Sequence, residues 1–395
     1  MAVDSSQLSS PNDIFGCLPC EILLALLKLL PSLPSLWSLI NASSVCSAQF
    51  DDCALEIIEA VMLASVPTTI QHIMRVTLRC QAPGLQHTTL EQARDVAKDI
   101  DINRRRARPL LISMPLNFNT FEVEAVQHTR LPRRLLSQAH NIHVLAHACT
   151  DHYIAASLAI RPHSLVKLGP HSPVYRDKFE SAEGRPYQPR ETGPSSWVEE
   201  HRVIKALWLI QYFFELQVAC EESRLDWPAE DLKSLQCAGL STFFTLQRFE
   251  QQQLLTVMEF LQVKTHGHKE AGSLWLQQYR LPTEAFENTF ISPCAQLMFF
   301  DPNEDHYQQG QEFLDKSPTS ITFQYMMARN PNMSPLPGLP FDPYRKFGFA
   351  IFDDQRMTDL GLAEANRRAL AFFVKYHYSW FSILTQEERD LSRKN

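Results

Sequence analysis

Leu18-Pro19-Cys20-Glu21-Ile22-Leu23-Leu24-Ala25-Leu26-Leu27-Lys28-Leu29-Leu30-Pro31 is the stretch that decides how this chain reads. Pro19 suits a first helical position, because the N–H it lacks would be unpaired there anyway. Glu21 follows in the first turn, where a carboxylate meets the positive end of the helix dipole. Pro31 stops the helix. In between, Ile22, Leu23, Leu24, Leu26, Leu27, Leu29 and Leu30 leave only Lys28 as a clear solvent marker. A surface helix normally buries one stripe; this one is apolar almost all round. A module of a few short helices has too little interior to cover every face, and leftover apolar surface commonly marks a docking site. The plain alternative is that other helices of the same chain cover it.

Outward from this helix the pattern stays helical. Residues 1–16 are rich in Ser, Asn and Asp and read as a disordered N-terminus. Short helices are expected from Pro34 to Asn41, from Ser43 to Gln49 and from Asp51 to Ser65, closing a module over 17–64. Apolar residues then recur at three- and four-residue spacing over 67–80, 89–100, 120–139, 141–160, 196–221, 228–237, 241–263, 268–279, 319–329 and 363–384. Residues 65–160 read as the first part of a helical domain and 196–395 as a helical C-terminal domain. Between them, 161–195 holds six prolines and three glycines, and 330–343 holds five prolines, so both deny continuous helix. Short strands fit only near Phe347–Phe352. The expected fold class is mainly α, with few or no strands.

The order Leu18-Pro19-Cys20-Glu21-Ile22-Leu23, Leu26-Leu27, Leu29-Leu30-Pro31, Leu33, Leu36, Leu39 and Ala42-Ser43 resembles an F-box over about residues 17–50. It is most similar to the F-box-like start of large fungal protein families. Val45-Cys46-Ser47-Ala48-Gln49-Phe50 keeps the Val-Cys of the F-box V-C-R/K-x-W element. Serine stands in its basic position, there is no tryptophan, and Phe50 is the candidate for the tryptophan's packing role. A second resemblance lies at Gly348-Phe349-Ala350-Ile351-Phe352-Asp353-Asp354-Gln355-Arg356 and Leu360-Gly361-Leu362, similar to the "F-W/F-D-x-x-R-L…L-G" tail of the same fungal proteins, with Met357 where leucine is usual. The resemblance implies an adaptor that binds the Skp subunit of a cullin–RING ubiquitin ligase and presents a protein client with the rest of the chain. Carried over by position, Leu18, Pro19, Ile22, Leu23, Leu26, Leu27 and Leu36 are the expected docking residues. The competing expectation is a ligase-independent helical scaffold with an F-box remnant in its core.

Other constellations carry less. On a helix, His143, His147 and Asp151 of His140-x-x-His143-x-x-x-His147-x-Cys149-x-x-His152 fall on one face at a spacing zinc can use. Interleaved Leu145, Ala146 and Ala148, and the lack of an H-E-x-x-H pattern, favour an amphipathic helix with partly exposed histidines. Cys17-Leu18-Pro19-Cys20 has C-x-x-C spacing, but a structural zinc site needs a second pair. Arg104-Arg105-Arg106-Ala107-Arg108 reads as a solvated turn, or as a localisation or phosphate-binding patch. No phosphate-loop, dinucleotide or nucleophile-elbow motif is present. No catalytic residue, metal or cofactor is therefore expected, and no enzymatic activity.

Composition agrees. The chain of 395 residues has 45% hydrophobic and 21% charged residues and a net charge of −7, which argues against a disordered protein and a polycationic nucleic-acid binder. Nine cysteines without a paired framework fit a reducing compartment, cytoplasmic or nuclear. Neither a membrane anchor nor a signal peptide is expected from Ile22–Ile40, which Pro31 and Pro34 break and no basic residue precedes. Seven acids against Lys28 give residues 1–64 a net of −6, an excess that would steer a partner electrostatically or form a solvated rim.

Overall fold

The computed structural model describes residues 13–81, 89–97, 125–166, 183–246, 248–264, 339–363 and 377–391. Of these, 72% are helical and 3% lie in strands, so the fold is mainly α. The expected helices at 268–279 and 319–329 and the Arg104–Arg108 run lie outside the described residues, as does most of 363–384.

The chain divides into two compact units that do not follow chain order. The first comprises Met1–Val144, Trp208–Thr245 and Glu270–Tyr307; the second comprises Leu145–Leu207, Leu246–Lys269 and Gln308–Asn395. The assignment changes within two long helices, α6 (Ala125–Ala159) and α7 (Trp197–Glu221).

The first unit begins with the N-terminal module. A 3-10 turn, Ile14–Cys17, is capped by Asp13, whose carboxylate accepts the Phe15 N–H, so residues 13–16 carry local structure that their composition does not suggest. Helix α1 (Cys20–Lys28) and α2 (Leu33–Ala42) both pack on α3 (Ser44–Ser65). Ser32 and Ser43 start α2 and α3 by accepting the N–H groups of Ser35 and Cys46, each satisfying one of the orphan donors at a helix N-terminus. The two helices expected over 43–49 and 51–65 are one. Cys53 (φ −129°, ψ 26°) absorbs the irregularity as a kink, and the helix continues. Phe50, Ile57, Ile58, Val61 and Met62 line its buried face.

Helix α4 (Thr68–Gln81) follows, and Gln71 ties it back by donating to the carbonyls of Met62 and Val66. Thr89 and Gln92 form a capping box on α5 (Leu90–Arg94). Trp208, Tyr212, Phe213 and Leu216 of α7 are buried; Tyr212 stacks on Phe244 at 6.2 Å, and the Phe213 and Phe243 rings meet edge-on at 5.1 Å. Here α8 (Ala229–Cys237) and α9 (Leu240–Phe243) precede a break, so the helix expected over 241–263 starts only at α10 (Arg248–Lys264). Buried Glu215 gathers donors from Gln81 (2.9 Å), Arg134 (2.9 Å) and Gln211 (2.8 Å) on its Oε1, which spreads one charge over several hydrogen bonds. Helix α6 runs unbroken through Pro132, where two helices meeting near 140 are expected from sequence.

In the second unit the proline-rich 161–195 stretch contributes the only sheet among the described residues. Strand β1 (His163–Leu165) pairs antiparallel with β2 (Gly184–Pro186), Ser164 opposite Arg185. The pairing is held from afar: Ser382 accepts the His163 N–H at 2.8 Å and Ser379 donates to its carbonyl at 3.0 Å. Residues 346–351 form turns rather than strand.

The second resemblance segment is a structural clasp. Gly348 (φ +76°) sits where an added Cβ would lie 2.4 Å from the Cβ of Tyr153, so only glycine fits. Phe349 and Tyr344 each meet the Trp380 ring edge-on at 4.9 Å. The Arg202 guanidinium donates to the carbonyls of Ile351 (2.9 Å) and Phe352 (2.8 Å). Asp353 caps α12 (Asp354–Asp359), which follows the short α11 (Asp342–Arg345), by accepting the Arg356 N–H. Half-buried Tyr187 donates to the carbonyls of Leu360 and Gly361, and desolvation pushes its phenol up to about 12.

Candidate docking surface

Helix α1 separates its apolar residues into two faces. Leu23 and Leu27 are 2% and 0% exposed, against α3; Ile22 and Leu26, one position out of phase, are 51% and 41% exposed. Each buried leucine contributes about 1.5–3 kcal/mol of transfer free energy to the module. Helical spacing puts Ile22, Leu26 and, just past the helix end, Leu29 on one side. Ile14, Leu18 and Leu29 are exposed as well, so five of the eight large exposed hydrophobics among the described residues fall between positions 14 and 29.

The seven expected docking residues therefore part company. Leu18, Pro19, Ile22 and Leu26 are exposed, whereas Leu23, Leu27 and Leu36 are core and have no surface to offer a partner. Sequence alone did not single out Ile14 and Leu29, although Leu29 lies in the decisive run.

Most of the module's charge is committed. Lys28 pairs with Glu56 across α1 and α3. Arg75 of α4 holds both Glu59 oxygens, at 2.6 and 3.3 Å, and Arg133 of α6 holds both Asp51 oxygens, at 2.7 and 2.9 Å. Asp13 accepts from Phe15 N–H and from the Ser43 hydroxyl at 2.7 Å, and the latter bond holds its carboxyl below the usual range. Glu21 folds back on its own helix, accepting its own backbone N–H and the Cys20 thiol, which lowers its pKa. Three of the six acids described in the module, Glu56, Glu59 and Asp51, are thus paired with a cation, whereas Asp13 and Glu21 are hydrogen-bonded to neutral donors and stay anionic.

The histidines of α6 have separate partners. The His140 ring lies 6.3 Å from Trp37, His147 Nδ1 lies 3.3 Å from Glu200 Oε1, and His152 packs on Tyr153 and Phe260. Ser195 donates to that same Glu200 oxygen at 2.6 Å. Among the described residues no three His, Cys, Asp or Glu side chains are placed to hold a metal ion. Cys17 and Cys20 are both exposed thiols. Extended Leu18 (ψ 141°) and Pro19 (ψ 145°) stretch the chain between them. Three extended steps span roughly 10 Å, beyond the reach of about 7 Å for a disulfide. Among the described helices α7 alone has the length and hydropathy of a membrane span, and 78% of that window is buried within the protein.

Comparison with protein-family models, with curated proteins and with solved structures yields no match. The functional reading therefore rests on the residues themselves.

Proposed function

We propose that residues 17–50 dock the Skp subunit of a cullin–RING ubiquitin ligase and that the helical remainder presents a protein client, making the chain a non-catalytic adaptor. The observation that carries this reading is the exposed apolar stripe Leu18–Ile22–Leu26, continued by Leu29, on a helix whose opposite face is fully spent on α3. Such a stripe is costly to leave in water and small enough to sit in one apolar groove. The test is capture by purified Skp subunit of the wild-type chain against a Leu18→Ala, Pro19→Ala double variant. Strong capture by the wild type and weak capture by the variant supports docking; equal capture, or none by the wild type, rejects it.

The burial of Leu23, Leu27 and Leu36 favours a second reading, a ligase-independent helical scaffold in which the F-box-like leucines serve only as core. That reading requires Ile22→Glu and Leu26→Glu to destabilise the fold as Leu27→Ala would.

A further inference from the structure

The first half of α3, residues 44–52, holds two acids, Asp51 and Asp52, and no lysine or arginine. Its cation arrives from α6. The Arg133 guanidinium meets Asp51 through Nε (2.7 Å) and Nη2 (2.9 Å), and Nη2 also donates to the Ser47 hydroxyl (2.6 Å) and carbonyl (3.3 Å). The Phe50 ring lies 5.7 Å from the same guanidinium, within cation–π range. Ser47, Phe50 and Asp51 stand three and four residues apart, so they form one face of α3. A forked, planar cation suits this socket in a way an ammonium does not. Two turns further along α6, His140 sets its ring against Trp37 of α2, on the same side of α6 as Arg133. The contact is therefore a joint made at two points.

Ser47 is also the position at which α3 departs from the base of the F-box element, and Phe50, one residue past the tryptophan's place at Gln49, is the candidate for that ring's packing role. A base at 47 would compete with Arg133 for Asp51.

We propose that Arg133 is the positioning residue of the docking module: it supplies from α6 the cation that the third helix lacks, and so fixes the module to the part of α6 that lies in the same unit. The geometry of the joint stands without any partner; its consequence for docking rests on the adaptor reading. Amide hydrogen exchange and Skp capture, both on the full chain, test the two parts separately. Arg133→Ala and Ser47→Arg should each speed exchange across residues 44–52 by about tenfold, leaving α10 unchanged, because local opening reports local contacts. The swap Ser47→Arg with Arg133→Ser should return 44–52 to within about twofold of wild type, since Arg at 47 reaches Asp51 one turn away. Unchanged exchange in Arg133→Ala, or a swap no better than that variant, overturns the joint. Skp capture should weaken about fivefold in Arg133→Ala and recover in the swap; undiminished capture despite faster exchange overturns the positioning role. A wild-type chain that captures no Skp overturns the adaptor reading instead, and the exchange series then decides the joint alone.

Discussion

Arg356 and Glu199, 157 residues apart, meet through two 2.8 Å hydrogen bonds, Nε to Oε1 and Nη2 to Oε2, with side chains only 4% and 1% exposed. Arg356 also donates to the Thr192 hydroxyl and to the carbonyls of Gly193 and Pro194, so its whole fork is occupied. Glu199 in turn accepts the N–H groups of Ser196 and Asp353, closing a capping box on α7 with the former.

Removing one side of this pair strands the other. Arg356→Ala should cost about 3–5 kcal/mol, because Glu199 would keep its burial without its cation. Arg356→Ala combined with Glu199→Gln should recover part of that loss. Urea unfolding of the three chains measures it; a double variant no more stable than the single one would contradict the account.

The two faces of α1 should respond in opposite ways. Leu27→Ala should cost about 2–5 kcal/mol of stability, the usual range for a buried leucine. Ile22→Glu with Leu26→Glu should change stability by less than about 1 kcal/mol while abolishing Skp capture. Thermal melts beside pull-downs separate the outcomes, and a large loss of stability in the glutamate variant would mean that the stripe is covered.

Docking through the stripe should be nearly blind to salt. With Glu56, Glu59 and Asp51 already paired to Lys28, Arg75 and Arg133 and the stripe itself apolar, salt can screen only the excess carried by acids such as Asp13 and Glu21. Skp affinity should change by less than about threefold between roughly 0.05 and 0.5 M NaCl. A tenfold fall would restore the acidic excess as a steering device.

His201 ties stability to pH. It stacks on Trp197 at 3.9 Å and donates from Nδ1 to the Trp197 carbonyl at 2.8 Å, and burial lowers its pKa to about 4 from an ordinary 6.5. The folded state therefore prefers the neutral ring: the contribution is complete above about pH 6.5 and is lost as pH falls toward 4. His201→Phe should flatten the decline of the unfolding midpoint across that window. An unaltered slope would remove His201 from the balance.

What could be read from sequence was what is locally determined. Helices α4, α7 and α8 fall within a residue or two of their expected spans, because periodicity and a capping pair such as Ser196–Glu199 act over a few residues. Two boundaries were misplaced where tertiary packing overrode a local signal. Asp51 reads as a helix start, yet α3 bends at Cys53 and carries on; two helices are expected to meet near residue 140, yet α6 continues through that point. The β pair was invisible, since Ser379 and Ser382 fix it from more than 200 residues away. The candidate docking surface was half legible: the run from Leu18 to Leu30 announced excess apolar area, but which side α3 would take is a one-residue question of phase. Arg133 could not have been found, because nothing near it in sequence points to a socket 82 residues upstream.

The spacing of Arg356 from Glu199 has a consequence for how the protein is made. At synthesis rates of roughly 5–20 residues per second, Glu199 leaves the ribosome on the order of ten to thirty seconds before its cation exists. The N-terminal module, whose leucines need only α3, has everything for its interior almost at once. Newborn chains thus pass through an interval in which the first helices are packed and the start of α7 still carries an acid awaiting its counter-ion. Messages cut short upstream of codon 356 would leave that acid unanswered for good.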